Sequence, residues 1–383
     1  MILEIPINDN EDLDSYYRRV YDEKFKNNLT WGDVANICNK YTNQNLTPDA
    51  YRKKFRSFRD DPINPTIQKI IELEYAKNQL SDERVQVNAL FRRMSREQTI
   101  LDIANDVAKN IGTRVLLDSP KELVINPDSN KGVLCISDWH YGIEIENHFN
   151  KYNPNICKTR INNLKNITIN RCKQNNVEEL FIVNLGDLIS GRIHTTIRIN
   201  NRIDVITQVI EVSELLAEFI NDLSSEFKIN YVETMDNHSR IEPLKENSLE
   251  LESLCRITHW FLKERLKDNK NVNFIDNEYA DDIATFKIFD FQIGGVHGDK
   301  DKKSKVLSNI SLLTKLGYDV ILTAHLHHLS VEEQNNALIV SNGSVMGTDN
   351  YALDLRLNSR PSQNLIIMTK NNPCDTLYPI VLE

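Results

Sequence analysis

Five apolar runs in this 383-residue chain each end in side chains able to hold a divalent cation. The run 132–137 leads into Asp138-Trp139-His140, and 180–184 into Gly186-Asp187. The run 229–234 leads into Asp236-Asn237-His238, 289–296 into His297-Gly298-Asp299, and 320–323 into His325-Leu326-His327. Five of the nine histidines thus fall just beyond apolar runs. Asp, Asn and His suit borderline cations such as Mn²⁺, Fe²⁺ or Zn²⁺. The candidate ligands are Asp138, His140, Asp187, Asn237, His297, His325 and His327. One tetrahedral ion uses about four protein ligands. The set is too large for one ion and suits a pair. Two ions about 3.5–4 Å apart share a bridging carboxylate and serve hydrolysis of phosphate esters.

The elements that must position these side chains follow from the pattern. The five runs read as strands, and 338–341, 364–369 and 377–382 add three more. Asp204–Leu223 is an amphipathic helix, with Val205, Val209, Val212, Leu216, Phe219 and Leu223 along one side. Strands alternating with helical patterns over 129–383 predict a layered α/β domain, in which ligands collect beyond the carboxyl ends of strands. Residues 244–267 supply Leu249, Leu254, Ile257, Trp260, Phe261 and Leu262 to further helices, for core packing or a homodimer contact.

The motif order Asp-x-His, Gly-Asp, Asn-His, His, His-x-His over 132–347 resembles the calcineurin-like metallophosphoesterase superfamily. The resemblance implies an α/β fold in which a β-sandwich is flanked by helices. It implies that Asp138, His140 and His327 hold one metal, that Asn237, His297 and His325 hold the other, and that Asp187 bridges them. A water between the ions, its pKa lowered towards roughly 7, would attack phosphorus in line. His238 would be the general acid near the leaving oxygen. Mn²⁺ is the expected pair, with Fe²⁺, Zn²⁺ or Mg²⁺ as alternatives. The chain departs from the family pattern at Asp236 and Ala324, where glycines are usual, and at Ser239-Arg240, where an acidic residue often follows the histidine. SbcD-like recombination nucleases of the superfamily carry an extra histidine soon after the bridging aspartate. His194 follows Asp187 at a longer spacing, as a second catalytic candidate or a surface loop residue. Arg192 and Arg198, with Arg202 nearby, could contact a phosphodiester backbone.

Residues 1–60 read as a small all-helical domain. Thr30 caps a helix, with Asp33 at the capping-box position, and Trp31, Val34, Ala35 and Cys38 share a face. A polar turn follows, and Thr47-Pro48 opens a second helix with Pro at its first position. Tyr51, Phe55 and Phe58 form its apolar stripe; Arg52, Lys53, Lys54, Arg56 and Arg59 form its basic face. The layout is that of a helix-turn-helix, with DNA binding by the basic face weighed against a solvated helical hairpin. Residues 61–128 read as a helical linker, with an apolar face of Ile100, Ile103, Ala104, Val107, Ala108 and Ile111 and an arginine cluster at Arg92, Arg93 and Arg96.

With 46 basic and 55 acidic residues the net charge is −9, which argues against a uniformly basic nucleic-acid binder. Local clusters at 51–59 and 92–96 keep DNA open as a partner. Six scattered cysteines, with no paired spacing, exclude a disulfide framework and fit a reducing cytoplasm. No run of 18 apolar residues predicts a membrane span. The Asn-, Gln-, Lys- and Ile-rich usage fits an AT-rich genome, such as that of a phage in a low-GC bacterium. The expected function is a dimetal phosphodiesterase acting as a DNA nuclease, exo or endo, with an ATPase partner an open question. The alternatives are a phosphodiesterase of cyclic or signalling nucleotides and a DNA-binding protein on an inactive hydrolase scaffold.

Overall fold

The computed structural model describes residues 3–60, 69, 73–87, 105, 117–193, 199–242 and 244–383. The chain divides into two compact units, Met1–Arg92 and Arg93–Glu383. The apolar face expected over 100–111 and the arginine cluster at 92–96 lie outside the described residues.

The first unit is helical. Helix α1 (Leu13–Lys26), α2 (Trp31–Thr42) and α3 (Pro48–Lys54) are followed by a 3-10 turn, Phe55–Asp60. The expected start of α2 is realised as a reciprocal capping box: the Thr30 side chain accepts from the Asp33 N–H, and the Asp33 carboxylate accepts from the Thr30 N–H. Asn43, left-handed at φ 51°, ends α2. Helix α1 had no counterpart in the sequence reading. Its Tyr16, Tyr17 and Val20 meet Val34, Ile37 and Cys38 of α2 and Tyr51 and Phe55 in one buried cluster. Aromatic bulk lets three short helices share a core.

The second unit is a sandwich of two sheets with helices outside each. Its strands are β1 (Asn130–Ile136), β2 (Ile145–Glu146), β3 (Lys151–Tyr152), β4 (Val177–Asn184), β5 (Lys228–Glu233) and β6 (Val272–Phe274). They continue with β7 (Ala284–Ile288), β8 (Phe291–Gly295), β9 (Val320–Thr323), β10 (Ser330–Gln334), β11 (Ala337–Ser341), β12 (Ser362–Thr369) and β13 (Asn372–Val381). Its helices are α4 (Pro154–Gln174), α5 (Val205–Ser224), α6 (Cys255–Leu266), α7 (Val306–Thr314) and α8 (Asn350–Asp354).

One sheet has the order β13-β12-β1-β4-β5-β6, the other β10-β11-β9-β8-β7. Strands β1, β4, β5 and β6 run parallel, as do β8, β9 and β11. Period-two alternation sorts the side chains. Leu134, Ile136, Leu180 and Ile182 face α4, α5 and α6, whereas Val133, Cys135, Phe181 and Val183 face the second sheet. Phe181 stacks on Phe286 across that interface with ring centroids 5.6 Å apart. On the far side of the second sheet, Ile321 and Ile339 pack against Val306 and Ile310 of α7. The fold is thus the expected α/β sandwich flanked by helices, preceded by a helical region.

The strand expected at 289–296 is β8, and it forms the second arm of a hairpin whose first arm, β7, lies before that range. Phe289 sits at φ 54° in its turn, where a positive φ breaks the extended backbone. Among the described residues, no helix is long and apolar enough to cross a membrane. Leu134 is fully buried between sheet and helices. Replacing it by Ala is expected to cost about 2–5 kcal/mol through lost transfer and a residual cavity, read as a lower midpoint in urea denaturation.

Candidate metal centre

Pairing of β1 with β4 and of β4 with β5 brings Ile136, Asn184 and Glu233 into line, so the segments that follow leave the sheet side by side. Hydrogen bonds then lace them together. The Asp138 N–H donates to the Gly186 carbonyl and the His140 N–H to the Asp187 carbonyl, each at 3.0 Å. From the second sheet, parallel β8 and β9 deliver His297 and His325, and the Ala324 N–H donates to the His297 carbonyl at 2.9 Å.

Five of the side chains so delivered stand on left-handed backbone: Asp138 (φ 52°), His140 (44°), Asp187 (54°), His325 (67°) and His327 (53°). Asp and His are among the residue types that tolerate this region best, yet each such residue costs roughly 1–3 kcal/mol. Clustering of that strain marks a site rather than a core.

Two groups of donor atoms result. Asp138, His140, Asp187 and His327 form one, and Asp187, His297 and His325 the other, so Asp187 belongs to both. In the first, His140 Nε2 and His327 Nε2 lie 3.0 Å apart, and His327 Nε2 is 3.3 Å from Asp138 Oδ1. In the second, His297 Nε2 is 3.2 Å from Asp187 Oδ2 and 3.2 Å from His325 Nδ1. Asn237 Oδ1 joins this group at 2.9 Å from His297 Nε2. His238 Nε2 lies 3.9 Å from Asp187 Oδ2.

The buried oxygens Asp138 Oδ1 and Asp187 Oδ2 satisfy no hydrogen bond. A buried carboxylate oxygen left so is costly, and a cation among these donors removes the cost. The residues present therefore fit two divalent ions. The outward nitrogens support the same arrangement: His297 Nδ1 meets the Leu185 carbonyl at 2.7 Å and His238 Nδ1 the Ser190 carbonyl at 2.7 Å. Such a carbonyl fixes the tautomer and aims Nε2 inward.

Without a metal, protons supply the positive charge. Burial opposes charge on Asp187, but His238 and His297 hold its carboxyl well below the usual range. Burial likewise opposes charge on Asp138, and His327 overcomes it. Burial disfavours a charged His297, yet Asp187 raises it to about 10. His327 is raised by Asp138 against the same opposition. His140 is pushed well down by burial and by its neighbours His238 and His327.

The departure at Asp236 has a structural role that the sequence reading missed. Its Oδ2 accepts from the Asp187 N–H at 2.9 Å and the Ser239 hydroxyl at 3.0 Å, while Oδ1 accepts from the Ser239 N–H at 2.7 Å. One carboxylate therefore clamps the loop after β4 to the loop after β5. Gly186, at φ 94°, makes room: a Cβ there would fall 2.5 Å from Asp236 Cβ. Behind Asp138, Ser137 Oγ donates to its Oδ2 at 2.7 Å, and Asn342 Nδ2 donates to Ser137 Oγ at 2.9 Å. A polar residue directly beyond an apolar strand, as Asn342 is after β11, was the available signal.

Of the other candidates, Arg192 is exposed, and Arg202 pairs with Glu144 at 3.1 Å. His194 and Arg198 lie outside the described residues. Arg52, Lys53, Lys54 and Arg56 are exposed in the helical unit, and Arg59 lies in its 3-10 turn.

Two mixed sheets lie face to face with helices outside, and Asp, Asn and His gather beyond the strand ends, so the second unit is a layered α/β sandwich with its donor cluster at one sheet end. Among particular proteins, residues 4–64 match the family model described as the YonJ N-terminal domain. The whole chain is 27% identical over 404 residues, covering 97% of each protein, to the SPbeta prophage-derived uncharacterized protein YonJ of Bacillus subtilis (strain 168). Solved structures with similarity include a novel archaeal phosphodiesterase, at 18% identity and TM-score 0.33 over 66% of this chain and 99% of that one. Another is Vps29 with zinc from Entamoeba histolytica, at 13% identity and TM-score 0.32 over 66% and 99%.

Two outcomes are expected. Because His297 holds its proton to about 10, ion binding at neutral pH must expel it, and affinity must rise with pH over that range. Titration calorimetry with Mn²⁺ should show a heat that varies with the buffer's ionisation enthalpy; a heat independent of buffer contradicts this. Asp236→Gly should weaken Mn²⁺ binding about 10–100-fold, the usual effect of losing a partner behind the ligands, while far-ultraviolet circular dichroism stays unchanged.

Proposed function

We propose that this chain is a dimetal phosphodiesterase that hydrolyses DNA. The observation that carries the reading is the pair of donor groups sharing Asp187, with two buried carboxylate oxygens otherwise unsatisfied. Asp138, His140 and His327 would hold one ion, Asn237, His297 and His325 the other, and Asp187 both. Such a pair supplies Lewis acidity that makes water a nucleophile near neutral pH and neutralises charge on phosphoryl oxygens.

The chain's own residues do the rest. The Asp236 clamp and the Asp138–Gly186 hydrogen bond hold the donor loops in register. His238 does not belong to either donor group, and the Ser190 carbonyl orients its ring. It would pass a proton to the leaving oxygen. The choice of DNA is supported by the basic face of the helical unit, and it agrees with the prophage origin of the YonJ relative.

The test is a panel of labelled linear, single-stranded and duplex DNA, cyclic nucleotides and bis-p-nitrophenyl phosphate, each with Mn²⁺. DNA should be cleaved, and Asp187→Ala should lose essentially all turnover. His238→Ala should lower kcat on DNA by roughly 10²–10⁴-fold and lower it far less on the p-nitrophenyl ester, whose leaving group needs no proton. Rapid turnover of cyclic nucleotides with DNA left intact would overturn the choice of substrate.

A further inference from the structure

The helical unit carries a cleft that the metal centre does not explain. Tyr21, Trp31 and Phe55 form its apolar wall, and Arg52, Lys53 and Arg56 its basic wall. Asp49 also lines it. Its volume is ≈ 420 Å³, within the roughly 300–1,000 Å³ of sites that hold small organic groups.

The aromatic rings form a connected row. Trp31 stacks on Phe55 with centroids 5.9 Å apart and planes at 28°, and Tyr21 lies 5.9 Å from Phe55. Phe25, 59% exposed, extends the row at 5.0 Å from Tyr21. Lys24 Nζ lies 4.9 Å from both the Phe25 and the Trp31 ring. Phe55 is buried, but Trp31 and Tyr21 keep part of their surface in solvent. Arg52, Lys53 and Arg56 are exposed. Aromatic surface left open beside three exposed guanidinium and ammonium groups and one carboxylate fits a ligand that is flat and anionic together.

We infer that this cleft binds an unpaired nucleotide within a single strand of nucleic acid. The base lies against Trp31 and Tyr21, and the flanking phosphates meet Arg52, Lys53 and Arg56. Single-strand binders combine these two elements, with base–aromatic stacking contributing about 1–3 kcal/mol per base. A duplex hides its base faces within the stack and could use only the cations. The inference rests on the nucleic-acid reading of the preceding section, and it deepens that reading by naming an unpaired strand as the form engaged.

The test measures binding apart from cleavage. The full chain carrying Asp187→Asn, in chelator, is titrated against a fluorescein-labelled thymidine oligomer and a duplex of equal length, with anisotropy as readout. The oligomer should bind at least tenfold more tightly. Trp31→Ala should weaken oligomer binding about tenfold and leave the weaker duplex binding unchanged, and Trp31→Phe should restore most of the loss. Arg52→Gln with Arg56→Gln, both at exposed positions, should flatten the dependence of log Kd on log salt by about 0.7 per phosphate contact removed. Equal affinity for both forms, or no effect of Trp31→Ala in a protein with unchanged circular dichroism, overturns the inference. Displacement of the oligomer by polyglutamate at matched charge also overturns it, and identifies an acidic protein surface as the ligand. If oligomer binding behaves as expected but the unsubstituted chain cleaves no DNA, the cleft stands and the nuclease reading falls.

Discussion

Two carboxylates, Asp138 and Asp187, are buried at the junction of the two sheets with one oxygen each that no hydrogen bond satisfies. The rest of the second unit is organised around the need to balance that charge. His140 joins from the loop of Asp138 itself, and three more imidazoles and an asparagine converge from three further loops. The sheets must meet face to face for this to happen, because one donates Asp138, His140, Asp187 and Asn237 and the other His297, His325 and His327. Interleaved apolar side chains such as Phe181 and Phe286 set the spacing of the sheets, and with it the spacing of the donors. Core packing and ligand geometry are one problem here.

Much of this was legible in the sequence because the pattern is redundant. Strand β9 and the second half of β4 announce themselves by short apolar runs, and each is followed within three residues by Asp or His. The eight described residues named from that pattern as ligands or acid, Asp138 to His327, lie together. Less legible was whatever depends on long-range partners. Strand β10 is polar and largely exposed, and it declares itself only by pairing with β11. Helix α1 has a polar sequence, and its Tyr16 and Tyr17 become core residues only once α2 and Phe55 close over them. The hairpin turn at Phe289 was hidden because a bulky aromatic at positive φ is not a turn signal. Asp236 looked like a lapse from the family pattern, whereas its carboxylate is the clamp between two ligand loops.

The two units use charge in opposite ways. In the sandwich, negative charge is buried and gathered from distant segments. In the helical unit, positive charge is exposed and is densest in one short stretch, Arg52 to Arg56, beside aromatic rings. A net charge of −9 averages over both and describes neither. It is the distribution that gives each unit its chemistry.

The contact between Gly186 and Asp236 also bears on how such a chain can change over time. A side chain at 186 and a carboxylate at 236 exclude each other, since the two β-carbons would sit 2.5 Å apart. At φ 94° the backbone at 186 already favours glycine, and the Asp236 β-carbon closes the space that remains. The glycine and the carboxylate that holds the Asp187 N–H are therefore one structural unit, and neither position is free to vary alone.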